Sequence, residues 1–118
     1  EGTSSMNYRT VSTKYLKTTT EQELKVEVYY AKGGANYLAG GIIQRGYWLS
    51  VQPVSRSVSN GLRSESFTLG SGLKYFLKET RADRRGGKTE REAVKLAAAR
   101  EQLLIKEVCL QEKLELAA

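Results

Sequence analysis

Two groups of residues in this chain are of kinds that could act on a ligand. The first is Tyr47-Trp48, inside "QRGYWLSVQPVSRS" (Gln44 to Ser57), where the only tryptophan stands between Arg45 and Arg56. The second is Lys74, Lys78, Arg81, Arg84, Arg85 and Lys88, opposed only by Glu79 and Asp83. Flat rings beside cations are the means by which single-stranded polyanions are gripped. Any base stacks on a ring for roughly 1–3 kcal/mol, while Lys and Arg track the backbone. Each neutralised phosphate adds a salt-dependent increment to affinity.

Other chemistries are poorly provided for. The chain has no histidine and one cysteine, Cys109, and Asp83 is its only aspartate. Ser-His-Asp triads, Cys-His pairs and the common zinc sets therefore cannot be assembled within it. Paired-carboxylate chemistry would need glutamates, and most of these lie where Lys or Arg can pair with them. The doublets "KGG" and "AGG" lack the spacing of a phosphate loop. These residues imply a non-enzyme with no metal and no cofactor.

The elements that must position the rings follow from periodicity. Tyr8 to Lys17 is rich in β-branched and aromatic residues, a strand signal. In Leu24 to Lys32 alternation puts Leu24, Val26, Val28 and Tyr30 on one face and Lys25, Glu27 and Tyr29 on the other. Gly46 to Val54 alternates likewise, with Tyr47, Leu49 and Val51 opposed to Trp48, Ser50 and Gln52. Pro53 suggests an edge or a strand end, and Asn60-Gly61 a tight turn before a fourth strand, Leu62 to Leu69. The twelve residues Gly33–Gln44 are long for a hairpin connection. They either fold back to extend the hairpin or present an apolar tip to a partner.

Leu73, Phe76, Leu77 and Thr80 follow helical spacing, which predicts a helix over about 72–82 with Ser71 as cap. Lys74, Lys78 and Arg81 would share one of its faces. Thr89 to Glu92 reads as a capping box opening a long helix over about 90–116. Its stripe of Leu96, Ala99, Leu103, Leu110 and Leu114, widened by Val94, Leu104 and Val108, must be covered by the sheet, the first helix or a second subunit. The expected fold is α+β: an antiparallel sheet of three to four strands followed by two helices packed on one face.

At 118 residues, 40% hydrophobic and 27% charged, the chain suits a single soluble domain over 6–118. Residues 1–5 look like an added remnant ahead of Met6. No apolar run approaches a membrane span, and one lone cysteine favours a reducing, cytoplasmic setting. The net charge of +6 suits a polyanion or an acidic protein surface as partner.

The stretches "YRTVSTKYLK", "VEVYYAKGGANY", "RGYWLSVQPVSRS" and "ESFTLGSGLKYFLKETRA" together resemble small accessory proteins of Gram-positive conjugative elements, plasmids and phages. That resemblance carries no catalytic or binding residue with it. In outline, four strands followed by a helix on a basic chain is similar to the PC4-like and PUR-type single-strand binders. Two functions are thus expected. One is non-catalytic nucleic-acid binding on single strands, with Trp48, Tyr29 and Tyr37 stacking and Arg45, Arg63, Lys74, Lys78, Arg81, Arg84 and Arg85 on phosphate. The other is a protein-binding inhibitor of a host defence system, of anti-CRISPR type. Homodimerisation through the last helix is compatible with either. Alternation turns Trp48 away from the covered face, although a cross-strand pair with Tyr29 would also suit that place.

Overall fold

The computed structural model describes residues 8–36, 41–81 and 83–118. Among these residues seven strands precede one helix: β1 (Tyr8–Lys17), β2 (Glu23–Ala31), β3 (Gly34–Asn36), β4 (Gly41–Ile43), β5 (Gly46–Ser59), β6 (Leu62–Ser66), β7 (Leu73–Lys78) and α1 (Lys88–Glu112). The architecture is α+β, an antiparallel sheet backed by a single C-terminal helix.

β5 is the axis of the sheet. Its first half is flanked by β2 and β7, and β1 closes the far side of β2. Its second half runs on past both neighbours and pairs only with β6, forming a two-stranded arm. The arm turns at Asn60-Gly61, with φ angles of 53° and 79°. Such a positive pair is what a tight hairpin turn demands. Pro53 lies between the last β7 pair at Val51 and the first β6 pair at Ser55, where β5 has only β2 beside it. A residue without an N–H is tolerated at such a gap. Within the 33–44 connection β3 pairs antiparallel with β4.

The expected helix over 72–82 is instead strand β7. "LKYFLK" fits both periods, since Leu73, Tyr75 and Leu77 also alternate, and six residues are too few for a stable helix. Glycines decide its place. Gly46 (φ +138°) and Gly72 (φ +81°) lie where β7 meets β5, and a Cβ on either would run into the opposing backbone. One residue more on β7 than on β5 separates the Trp48–Phe76 and Tyr47–Lys78 pairs. This bulge keeps Leu77 on the covered side.

α1 starts two residues before the expected position 90, with Gly87 in place of Thr89 as N-cap and no side-chain cap. Glu90 reaches back instead and accepts the Gly86 N–H at 2.8 Å. The helix stops at Lys113, which is left-handed (φ 57°). The chain then lies along the end of β1, through the Thr18–Leu116 bridge and the bond from Ala117 N–H to Lys17 O.

The core lies between sheet and helix. Leu24, Val26, Val28, Leu49 and Val51 pack against Ala97, Leu104, Ile105 and Val108, while Tyr30, Tyr47 and Ala93 form a second, adjoining cluster. This corrects the expected helix stripe in part: Leu104 and Val108 face the core as expected, while the side bearing Leu96, Leu103 and Leu110 is turned to solvent. Small Ala93 lets the helix approach the tyrosines, and Ala97 packs in the main cluster.

Candidate functional site: the open face of the sheet

Alternation through β2 and β5 leaves one sheet face without a helix. The register sets Tyr29 opposite Trp48 and Trp48 opposite Phe76, with Thr10 opposite Tyr29 and Ser50 opposite Lys74. An aromatic row therefore crosses four strands: Tyr8, Tyr29, Trp48, Phe76. Tyr8 meets Tyr29 edge-on with centroids 5.3 Å apart, and Trp48 meets Phe76 edge-on at 5.1 Å. Edge-to-face contacts of this kind are worth about 0.5–1.5 kcal/mol beyond area burial.

The rings differ in what they expose. Tyr29 is buried, and that burial pushes its hydroxyl pKa upward, so it supports its neighbours and offers no ring to a base. Trp48 and Phe76 are half-buried, and Tyr8 is exposed. The Trp48 indole N–H donates to the Gln44 carbonyl at 2.9 Å, which fixes the ring and leaves it no free donor. Sequence reasoning does not single out Tyr8 and Phe76. Their signal is parity: each falls on the same side of its strand as Trp48 once the register is known. Beside the row, Tyr8, Thr10, Glu27, Tyr29, Ser50, Gln52 and Lys74 line a shallow hollow of about 400 Å³.

The cations predicted as one group are divided. Lys74 lies on the open face, in the hollow. Lys78 is on the covered side, where it pairs with Glu92 of α1 at 3.3 Å. The shared face expected for Lys74, Lys78 and Arg81 thus disappears with the helix. Arg81, Arg84 and Arg85 are exposed in the β7–α1 connection. Arg45 is exposed as well and donates through Nε to the Lys32 carbonyl at 2.9 Å. Arg63 stands apart on the arm. Tyr37 lies outside the described residues.

These positions converge on one end of the sheet. Arg45 precedes the β5 start, Gly46 abuts the Glu79 backbone, and Asp83 feels the charges of Lys32 and Arg85. The aromatic row ends at that same border, through Tyr8, Trp48 and Phe76. Asp83 is engaged by Arg9, which also grips Glu90 at 2.6 Å. The Arg9 hydrogen bonds hold both carboxyls below the usual carboxylate range. That leaves Lys32, Arg45, Arg81, Arg84 and Arg85 as cations at this border, the last three in the connection that leads to α1, with exposed Glu79 among them.

The other end of the open face is closed by the arm. Arg56 lies 4.0 Å over the Tyr15 ring and binds Glu23 at 2.6 Å. Glu65 accepts from Tyr15 and from Lys25, the latter at 3.0 Å. The Tyr15 hydrogen bond keeps the Glu65 carboxyl low. These contacts wall a cleft of about 870 Å³ that includes Arg63. Its acidic groups are mostly matched by cations, so it has no one preferred charge.

Among the described residues no cluster of three or more Cys, Asp or Glu could hold a metal ion, and no helix is long and apolar enough to cross a membrane. The fold and site define a helix-backed antiparallel sheet with an aromatic, cation-bordered open face. No family model, curated protein or solved structure matches this chain.

Proposed function

We propose that the open face binds single-stranded nucleic acid without catalysis. One observation carries the reading: the Tyr8–Tyr29–Trp48–Phe76 row lies on the uncovered face, with Lys74 in the hollow beside it and Arg45 directly before β5. Bases would stack on Trp48, Phe76 and Tyr8, with Tyr29 as their support. Lys74, within the hollow, and the border arginines would take phosphates. Direct stacking tolerates any base, so the reading implies weak sequence preference and strong salt dependence.

Because Trp48 is the only tryptophan, its fluorescence reports on the face directly. Titration with a mixed-sequence oligonucleotide at about 50 mM salt should change the emission, and affinity should fall steeply by about 200 mM. The double variant Arg84→Ala/Arg85→Ala should reduce both the affinity and its salt slope. An unchanged signal at low salt would dispose of this reading.

A second reading, a protein-binding inhibitor of a host defence system, is favoured by the arm. Val58, Leu62, Phe67 and Leu69 are each more than half exposed there and just beyond it. Shortening the arm by removing residues 57–64 would abolish partner binding under this reading and leave oligonucleotide binding intact.

A further inference from the structure

We propose that a second copy of this chain docks antiparallel along α1, through the seam of Leu96, Leu103 and Leu110. The three leucines are 42%, 59% and 73% exposed, whereas the side of the helix that meets the sheet is buried, at 8% or less for Ala93, Ala97, Leu104 and Val108. Residues seven apart drift by only about 20° around a helix. The seam is therefore one nearly straight apolar line, about 21 Å long at about 1.5 Å per residue.

Charge selects the occupant and its direction. Arg100 and Glu107 each follow a seam leucine by four residues, on the same flank. Neither makes an ion pair among the described residues of its own chain. Arg100 is held over the Tyr75 ring at 4.9 Å. In antiparallel helix pairs the same flank of each helix faces its counterpart. Arg100 then meets Glu107 of the second copy, and the two-fold axis repeats the contact. A parallel copy would instead set Lys95 against Arg100, a repulsive arrangement. On the other edge Ala99 permits close approach, and Lys106 extends its stem past the seam to water.

The helix lies on the covered side of each sheet, so this dimer turns its two open faces outward, away from each other. The inference does not depend on what those faces bind. A contact limited to one helix pair falls at the small end of specific interfaces, which implies association in roughly the micromolar range.

Sedimentation equilibrium of the full chain from about 1 to 300 µM tests it, since mass action populates the dimer only at the upper end. The weight-average mass should rise from 13.1 kDa toward twice that value. Leu103→Glu should hold the chain monomeric with its circular dichroism unchanged. Arg100→Glu and Glu107→Arg should each weaken association at least about tenfold, and the double variant should restore it to within about threefold. A chain that stays monomeric throughout overturns the proposal. So does association that the single charge reversals leave unchanged, or that their combination fails to restore. In those cases the seam would serve another partner, or an association of different geometry.

Discussion

Trp48 and Phe76 stand edge-on on the uncovered face, their centroids 5.1 Å apart and their planes inclined by 69°. They join β5 to β7 beside the bulge, where backbone pairing is least regular. Phe76→Ala removes a half-buried ring and its aromatic contact, so it should cost about 2 kcal/mol. It should also shift the Trp48 emission toward that of a hydrated indole. Urea titration followed at Trp48 gives both quantities together. A loss below about 0.5 kcal/mol, the least that one aromatic pair adds, would mean that the rings contribute little to the join.

The Arg9 junction should make the fold sensitive to acid. Asp83 and Glu90 both titrate below their ordinary range in the folded protein, chiefly through hydrogen bonds from Arg9. A depressed folded pKa adds stability above the unfolded pKa, near about 4, and that stability is lost as pH falls through the folded value. Unfolding free energy should therefore fall steadily from about pH 5 downward. Arg9→Met should cost roughly 1–3 kcal/mol at pH 7 and flatten this slope, because the carboxyls lose the donor that holds them low. Melts from pH 2 to 7 on both proteins would show it, and parallel curves would exclude Arg9 as the cause.

What the sequence made legible was local. β1 spans Tyr8–Lys17 as its β-branched and aromatic residues required, and parity alone turned Trp48 and Tyr29 to the same side. Asn60-Gly61 declared its own turn. What was hidden depended on partners far along the chain. Arg9 and Asp83 are 74 residues apart, so nothing near Asp83 marked it as anything but a solvated charge. "LKYFLK" carried two periods, and the choice fell to Gly46 and Gly72, whose tight contacts exist only once β7 lies on β5. In α1 the leucines outweighed Ala93 and Ala97 on hydrophobicity, yet small residues were what a close helix–sheet approach needed. Lys78 illustrates the consequence for the site: grouped with Lys74 on a helix, it belongs to the opposite side of a sheet.

The two join glycines should not tolerate a side chain. At Gly46 an added Cβ would overlap the Lys78 carbonyl oxygen and lie 2.9 Å from Glu79 Cα. At Gly72 it would overlap the Val51 carbonyl oxygen and lie 2.9 Å from Gln52 Cα. Gly70 has a similar φ, +83°, with open space around it. Gly70→Ala should cost only the conformational term, about 1–2 kcal/mol. Gly46→Ala and Gly72→Ala should each cost clearly more, because the opposing backbone must move. Denaturant midpoints ranking all three alike would show that β7 is not held this closely.

The two sides of α1 should differ sharply in what truncation costs. Val108 is fully buried against the sheet, and Leu110, two residues on, is 73% exposed. Val108→Ala deletes two methyl groups from a packed core and leaves a cavity, so a loss of about 1–3 kcal/mol is expected. Leu110→Ala, measured in dilute solution, should stay within about 0.5 kcal/mol of the parent, as surface changes do. At high concentration the second variant should lose stability relative to the parent if the leucine seam is occupied by a second copy, since association adds to the stability of the folded state. Urea unfolding of both variants at about 1 and about 200 µM therefore separates the core side from the docking side. Equal costs for the two substitutions in dilute solution would overturn the assignment of Val108 to the core side and Leu110 to the exposed side.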